Sequence, residues 1–269
     1  MSFADVTSAN IVGYQTYPAV KGFNLCAVNF KNVGAKEEIP IINLFPGIGN
    51  GVKNDNIRYE SGINAGADYM MVSKGPGSTD YDMYFLYYYS KDGKTKQAYW
   101  YKWCNANGGL PIEDTVTIKN GDAFWFVRQK DEPINLPVSG EVELSASKTV
   151  TIKTGFNLIG SYFPAGFAPN DAPYTTDYWK DTVGARPESG INAGADYFMV
   201  SKGPGSTDYD MYFFYYYSKD GKTKQAYWYK WCNANGGLPA EGSILEPGRG
   251  MWFVRQGATD TTFEIKKQF

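Results

Sequence analysis

One long segment of this chain occurs twice, almost unchanged. Residues 60–111 and 188–239 differ at only two of their 52 positions, where phenylalanine replaces Met70 and Leu86 in the second copy. Two copies at a spacing of 128 residues are typical of a tandem pair of domains and too few for a long solenoid. The repeat therefore predicts two modules with one common fold.

Shorter motifs outside the repeat extend the correspondence between the two halves. Gly22-Phe23-Asn24-Leu25 returns at 155–158, and Trp125-Phe126-Val127-Arg128-Gln129 returns at 252–256. The segment from Pro133 to Ser139 has the composition of a linker. We therefore expect a first module at residues 1–137 and a second at 138–269.

The near-identity of the repeat has two explanations that one sequence leaves open. Recent recombination between the copies would produce it without any functional demand. A surface that the protein needs in duplicate would preserve it as well.

The composition favours strands joined by tight turns. Aromatic residues make up 17% of the chain, led by 22 Tyr, and there are 30 Gly. Thr149–Lys153 alternates with the period of a half-buried strand. Further strands are predicted from Gly155, over Asp196–Ser201, and over Met211–Ser218 and Lys222–Trp231. The prediction is an all-β fold with two tandem β-sandwich or barrel-like modules, a long aromatic hairpin in each, and at most a short helical turn at Ile41–Phe45.

The hairpin of each copy carries its own register signal. Lys219-Asp220-Gly221 suits a three-residue loop, and in the first copy this loop pairs Ser90 with Lys94. The resulting register places Tyr87 opposite Gln97, Tyr84 opposite Trp100 and Asp82 opposite Lys102. Opposite charges across a strand pair stabilise the sheet by a few tenths to about 1 kcal/mol. A two-residue Asp92-Gly93 turn would shift the register and lose the ion pair.

Both faces of the hairpin are rich in aromatic residues. One face has to form the core of its module. The other needs a cover or remains an exposed apolar patch, which usually marks an interaction site. The alternative is that the same rings only pack inside the module. The residues predicted for the interacting or ligand-stacking face are Tyr84, Tyr88, Trp100, Tyr212, Tyr216 and Trp228.

The composition also limits the chemistry of the chain. Histidine is absent, which removes Ser–His and Cys–His nucleophilic sites and the commonest metal ligand. A formal charge of −2 predicts no strong attraction to nucleic acid. No window approaches the roughly 18 apolar residues of a membrane span. We expect no enzyme activity, no cofactor and no transition metal.

Two sets of carboxylates are candidates, one for metal binding and one for catalysis. Asp80 with Asp82, and Asp208 with Asp210, lie beside a Gly-Pro-Gly turn and offer a calcium site as a minority interpretation. The alternative is turn capping and the ion pair to Lys102. The repeated carboxylates that a glycoside hydrolase would need are Glu60, Asp68, Glu188 and Asp196, but no motif supports that role.

Three cysteines and one glycine run complete the candidates. Cys104 and Cys232 are equivalent positions, whereas Cys26 corresponds to Ile159. An odd count leaves at least one thiol unpaired within the chain. Buried free thiols are the expected state of all three. Residues 47–51 (GIGNG) lack the Lys-Ser/Thr of a phosphate-binding loop.

The ends of the modules carry a resemblance. The motifs are VTSANIVGY at 6–14, a Gly-Phe-Asn-Leu-Ile-Gly strand after Thr-Val-Thr-Ile-Lys, and PGRGMWFVR at 247–255. Together they resemble a group of exported β-rich proteins from planctomycete- and verrucomicrobia-type bacteria. The first module departs from the closing motif with NGDAF at 120–124. The resemblance covers both module ends but not the hairpin. It implies a β fold and export, and it implies no reaction.

Small residues at Ser2 and Ala4 fit a signal-peptide cleavage site before Asp5. The alternative is that Met1 begins a cytosolic protein. The expected function is that of a secreted or cell-surface structural protein whose aromatic faces associate into a fibre, sheath or surface layer. Its expected partner is a second copy of itself. The alternative function is carbohydrate binding, with the aromatic hairpin as a stacking platform for a polysaccharide.

Overall fold

The computed structural model describes residues 11–90, 94–104, 109–174, 178–179, 184–218, 222, 224–232 and 237–269. Strands dominate these residues, and the α-helix α1 (Ile41–Leu44) is four residues long. The predictions of an all-β chain and of a short helical turn at Ile41–Phe45 are therefore confirmed. The cleavage site before Asp5 and the hairpin loops 91–93 and 219–221 lie outside the described residues.

Ten strands form the first module. They are β1 (Val12–Ala19), β2 (Gly22–Ala27), β3 (Glu38–Pro40), β4 (Tyr69–Ser73), β5 (Tyr81–Tyr89), β6 (Gln97–Trp103), β7 (Gly109–Pro111), β8 (Thr117–Lys119), β9 (Ala123–Arg128) and β10 (Ile134–Glu141). A 3-10 turn at Ile63–Ala65 precedes β4.

Eight strands form the second module. They are β11 (Ser147–Ile152), β12 (Gly155–Gly160), β13 (Tyr197–Ser201), β14 (Tyr209–Ser218), β15 (Lys224–Trp231), β16 (Gly237–Pro239), β17 (Gly250–Arg255) and β18 (Thr261–Lys266). A 3-10 turn at Ile191–Ala193 precedes β13, as its equivalent precedes β4.

Each module is built around one six-stranded antiparallel sheet. The strand order is β2-β9-β4-β5-β6-β7 in the first module and β12-β17-β13-β14-β15-β16 in the second. These are equivalent strands in the same order, so the repeated segments adopt one topology, as predicted. A two-stranded sheet accompanies each large sheet, β1 with β10 and β11 with β18. The first module has a further pair, β3 with β8.

The segment expected to be a linker is a strand. Residues 133–139 lie almost entirely in β10, whose whole length pairs with β1, from Ala19 opposite Ile134 to Val12 opposite Glu141. The linker prediction is therefore wrong, and β10 continues past residue 137. Its Pro137 belongs to a two-stranded ribbon, where a missing amide donor is tolerated at the open edge.

The predicted hairpin register is wrong by two residues. Tyr87 pairs with Tyr99 instead of Gln97, and Tyr89 pairs with Gln97. A shift of two leaves every side chain on its predicted face. Asp82 Oδ1 therefore still lies 3.0 Å from Lys102 Nζ, across a diagonal instead of directly opposite. The observed register places Leu86 opposite Trp100 and Tyr87 opposite Tyr99.

The inner face of each large sheet packs against its two-stranded sheet. In the first module Leu86, Trp100 and Phe126 meet Leu136 and Val138 of β10 in one buried cluster. The second module repeats the arrangement, with the strands β11 and β18 covering the sheet. Each module is thus a two-layer sandwich of unequal sheets, held by apolar burial of about 25 cal/mol per Å².

The two positions that differ within the repeat both lie in this core. Met70 and Leu86 have no exposed surface, and Phe198 and Phe214 are at most 2% exposed. Phe198 packs on Phe167, with ring centroids 5.6 Å apart. Phe214 packs on Trp179 at 6.1 Å. Both partners lie outside the repeat, so the inner face differs only where it meets the diverged part of the module.

The modules contact each other through equivalent residues. Ala27 N donates to Gly248 O at 2.9 Å, and Gly160 N donates to Gly121 O at the same distance. Ala27 corresponds to Gly160, and Gly248 to Gly121, when the two modules are aligned. Reciprocal contacts between the same two patches define an isologous interface. The modules are therefore related by a pseudo-two-fold axis.

The Gly-Pro-Gly turns of the two modules also make matching contacts across the interface. A Cβ on Gly77 would lie 2.8 Å from Lys153 Cβ, and a Cβ on Gly205 would lie 2.6 Å from Val20 Cγ2. Val20 and Lys153 are equivalent residues at the turn before β2 and β12. Each Gly-Pro-Gly turn thus packs closely on the turn that precedes β2 or β12 in the other module.

No helix in the described part of the chain has the length and apolarity to cross a bilayer.

Candidate functional site: an aromatic outer face and a tyrosine-lined groove

Four of the six residues predicted for an interacting face belong to the core. Tyr84 is 5%, Trp100 1%, Tyr212 8% and Trp228 0% exposed, and each belongs to the core cluster of its module. For these four the prediction is wrong, because strand alternation places them on the inner face beneath the two-stranded sheet. Tyr88 and Tyr216 are half-buried.

The opposite face of each large sheet, here called the outer face, carries no charge. Cross-strand pairs define it in the first module: Phe85 with Tyr101, Tyr87 with Tyr99, and Met71 with Trp125. Its side chains in the first module are Phe23, Leu25, Ala27, Tyr69, Met71, Ser73, Tyr81, Met83, Phe85, Tyr87, Tyr89, Gln97, Tyr99, Tyr101, Trp103, Pro111, Ala123, Trp125 and Val127. Eight of these side chains are at most 9% exposed, so only the remainder of this uncharged face reaches the protein surface.

Exposure on the outer face increases toward the hairpin tip. Phe85 is 1% exposed, Tyr101 6%, and Tyr89 44%, while Tyr87 and Tyr99 are half-buried. Tyr87 stacks on Tyr89, with centroids 5.4 Å apart and planes 19° apart. Tyr87 also meets Tyr101 edge to face at 5.4 Å. The second module keeps the corresponding contact, with Tyr215 edge to face on Tyr229 at 5.6 Å.

The part of the outer face nearest the pseudo-two-fold axis is used between the modules. Leu158 and Tyr209 of the second module pack against the buried cluster that contains Leu25 and Trp125 of the first. A Cβ on Gly250 would lie 2.6 Å from Ala123 Cβ. The hairpin ends carry the more exposed rings.

A separate groove runs along the edge of the first module. Its volume is 550 Å³, and its lining includes Tyr59 and Tyr88. The two rings have centroids 6.1 Å apart and planes tilted by 52°. Tyr59 OH accepts the amide of Asn54 at 3.1 Å, which fixes the ring. Burial raises the pKa of Tyr59, so its hydroxyl stays neutral and can donate a hydrogen bond.

The groove is rimmed by more cations than anions. Lys53, Lys96, Lys130 and Arg58 line it, against two carboxylates. Lys53 Nζ lies 5.4 Å from the centroid of the Tyr88 ring. The sequence contained no signal for this site. Lys53, Arg58 and Tyr59 lie before the repeat, and the fold brings them together with the distant Tyr88 and Lys130.

Two of the four carboxylates of the calcium hypothesis are engaged in ion pairs. Asp82 and Asp210 form ion pairs with Lys102 and Lys230, at 3.0 and 2.7 Å. Asp80 N and Asp208 N each donate to the hydroxyl of the serine two residues earlier, at 3.1 Å. Among the described residues no group of three or more His, Cys, Asp or Glu is placed to hold a metal ion. The alternative of ion pairing therefore describes Asp82 and Asp210.

The carboxylates considered for glycoside hydrolysis have structural partners. Asp68 is fully buried against Arg128 and also accepts two backbone amides. Asp196 is held in the same way by Arg255. Glu60 and Glu188 lie on the surface beside Arg58 and Arg186, at 3.5 and 3.2 Å. A carboxylate enclosed by fixed donors has no open side for a substrate.

The cysteines only partly follow the expectation. All three are free thiols, and Cys26 is buried as predicted. Cys104 and Cys232 are exposed, so the prediction of burial is wrong for them. They follow β6 and β15 directly, one residue beyond the last paired positions, Trp103 and Trp231.

Comparison with known protein families, with curated proteins and with solved structures found no match to the chain. The class of protein that the fold defines is a tandem pair of all-β sandwich modules. The outer face and the groove are the two candidate functional surfaces of the chain.

Proposed function

We propose that this chain is a structural protein of the cell exterior that self-associates through its outer faces into a fibre, sheath or surface layer. The observation that carries the proposal is the uncharged outer face, whose rings become more exposed toward each hairpin tip. Contiguous apolar surface of this kind usually marks an interaction site. Export rests on the resemblance of the module ends to exported proteins.

The pseudo-two-fold axis supports extended assembly. It gives each chain two equivalent outer faces, one from each module. When one such face meets a different patch on the next chain, the contact is heterologous and continues into a ring or a filament. Two weak contacts per chain also strengthen each other through effective concentration.

The edges of the large sheets offer a second element of the same assembly. The three-residue strands β7 and β16 end their sheets, and Leu110 and Leu238 at their centres are 66% and 67% exposed. The exposed leucines offer apolar side chains to a partner, whereas the shortness of the two strands and the prolines at their ends discourage the addition of another strand. The edge and the outer face adjoin, so one partner can contact both.

The test places charges in the outer face without disturbing the core. Gln97 and Gln225 are exposed positions on the outer face, so Gln97→Lys with Gln225→Lys leaves both cores unchanged. The matched control, Thr16→Lys with Thr149→Lys, adds the same charge on exposed strand positions elsewhere. Sedimentation velocity and electron microscopy should show assembly for the wild type and the control, and its loss in the outer-face variant.

A monomeric wild type at high concentration in physiological salt would overturn the proposal. Assembly that persists unchanged in the outer-face variant would move the interface elsewhere. Because the face is uncharged, wild-type assembly should survive moderate salt.

Carbohydrate binding is the second candidate function. Tyr88, one of the two predicted stacking rings outside the core, lines an open groove together with Tyr59. Tyrosine rings beside polar groups are a common way to hold sugars, because the ring packs on the apolar side of the sugar while its hydroxyl stays hydrated. This candidate does not depend on assembly.

A further inference from the structure

We propose that the groove of the first module binds an acidic polysaccharide, with sugar rings on Tyr59 and Tyr88 and sugar carboxylates on the surrounding cations. The proposal deepens the second candidate function. Neither of its two rings belongs to the outer face, but Tyr87 of that face also lines the groove, so binding is measured on the monomer. The two rings contact each other, with centroids 6.1 Å apart and planes tilted by 52°, so together they offer one continuous aromatic surface to a ligand in the groove.

The charges of the groove select the class of sugar. Lys53, Arg58, Lys96 and Lys130 face two carboxylates, those of Asp55 and Glu60, so the lining is net positive. A neutral glycan would gain nothing from that excess, whereas a uronate carboxylate would pair with it. The excess is local, because the chain as a whole carries a formal charge of −2.

Two of the cations are already fixed in position. Lys53 Nζ lies 2.6 Å from the Asp55 carboxylate, and Lys130 Nζ donates to the Asp55 carbonyl at 2.9 Å. Asp55 thus holds two ammonium groups of the groove lining, and the Lys53 ammonium lies near the Tyr88 ring. Side chains that are ordered before binding lose less conformational entropy when a ligand arrives.

Nucleic acid fits the same site less well. Sequence-independent binding to a phosphate backbone needs a stripe of cations that neutralises several successive phosphates. Here the cations are confined to one groove of 550 Å³ in a chain whose overall charge is negative. An acidic oligosaccharide, with one charge per sugar unit, matches a short groove that holds two aromatic rings.

The second module provides a natural control. It keeps Tyr216 at the position of Tyr88, and Arg186 and Glu188 at the positions of Arg58 and Glu60. Pro187 stands where the first module has Tyr59, and Gly257 stands where it has Lys130. The second module therefore lacks one of the two rings and one of the fixed cations. We expect one binding site per chain.

The experiment is titration calorimetry of the full chain with polygalacturonate, and with dextran as the neutral probe, at a concentration where sedimentation shows monomers. Polygalacturonate should bind at one site per chain and dextran should not. Tyr88→Ala should weaken binding about fivefold or more, whereas the matched variant Tyr216→Ala should leave it unchanged. Lys130→Ser should weaken binding and reduce its dependence on salt concentration.

Thermal unfolding of each variant verifies that it folds, and Tyr88→Phe, which keeps the ring, should retain binding. Failure of polygalacturonate to bind, equal binding of dextran, or equal losses in Tyr88→Ala and Tyr216→Ala would each overturn the proposal. Tighter groove-dependent binding of a single-stranded oligonucleotide would assign the site to nucleic acid and overturn it as well. Assembly through the outer face is measured separately, so either proposal can fail alone.

Discussion

Asp68 lies against Arg128 in the interior of the first module, with both side chains fully buried and Arg128 Nη1 donating to Asp68 Oδ2 at 2.6 Å. Asp68 Oδ1 accepts the amide of Gln129 at 2.6 Å. The carboxylate thereby ties the segment before β4 to the end of β9. Asp196 and Arg255 form the same pair in the second module.

Removing one partner of this pair should be costly. Asp68→Asn leaves a buried guanidinium without its counter-charge, and we expect a loss of about 3–5 kcal/mol in the free energy of unfolding of the first module. Urea denaturation measures this loss in the free energy of unfolding. Asp131→Asn breaks the exposed Lys21–Asp131 pair, which solvent screens, and should cost far less. Equal effects of the two variants would contradict the structural role of Asp68.

Glu143 should make stability sensitive to acid. Burial raises the pKa of this carboxyl, but hydrogen bonds from Lys148, Lys31 and Ser145 outweigh it and lower the pKa from 4.5 to about 2. Since the folded pKa lies below the unfolded one, the stabilisation is complete above about pH 4.5 and is lost as the pH falls toward 2. Lys31 and Lys148 belong to different modules, so the network joins them.

The measurement is urea denaturation of the wild type and of Glu143→Gln between pH 6 and pH 2. The wild type should be the more stable protein at pH 6, and the difference should shrink as the pH falls. A constant difference over this range would show that Glu143 does not titrate as described.

Substitutions of two glycines should separate the stability cost of backbone strain from the cost of disturbed packing. Gly47 and Gly49 have φ angles of +77° and +75°. A Cβ on Gly49 would lie 2.6 Å from Trp100 Nε1 and 2.7 Å from Leu86 Cδ2, whereas a Cβ on Gly47 meets nothing within 4 Å. Gly47→Ala should cost about 1–2 kcal/mol from the left-handed conformation alone. Gly49→Ala should cost clearly more in thermal unfolding, and equal costs would refute the packing of Trp100 against this loop.

The three thiols should differ in reactivity. Cys104 and Cys232 are exposed, whereas Cys26 is buried and its pKa is raised by that burial to about 11, although Arg249 nearby lowers it. The thiolate is the reacting species, so a coloured aromatic disulfide reagent should modify two thiols in the folded protein at pH 8 and three after denaturation. Cys104→Ser and Cys232→Ser should each remove one of the two thiols that react in the folded protein. Cys26→Ser should remove only the thiol that reacts after denaturation.

Much of the local structure follows from sequence patterns. The period-two alternation located strands β11, β13, β14 and β15, and the duplicated segment required one topology in both modules. The ion pair between Asp82 and Lys102 also follows from alternation, because it survives a register shift of two. These predictions succeed because neighbouring residues in a strand alternate between faces whatever surrounds the sheet.

The sequence did not indicate which face of the large sheet is buried in the core. Tyr84 and Tyr87 lie in the same strand, with similar neighbours, yet Tyr84 is buried in the core and Tyr87 lies on the outer face. Both faces of the hairpin are aromatic, so the strand pattern contains no preference between them. The linker prediction failed for a related reason, since β10 is a strand only because β1 pairs with it along its whole length.

The amino-acid sequence by itself determined the repeat, the strands and which side chains share a face. The tertiary structure alone decided which face became the core, how the modules pair about their two-fold axis, and that Tyr59 meets Tyr88 beside three lysines. The physical reason is that a strand's two faces are set by local geometry, whereas burial depends on the apolar surface that distant segments bring to one of them.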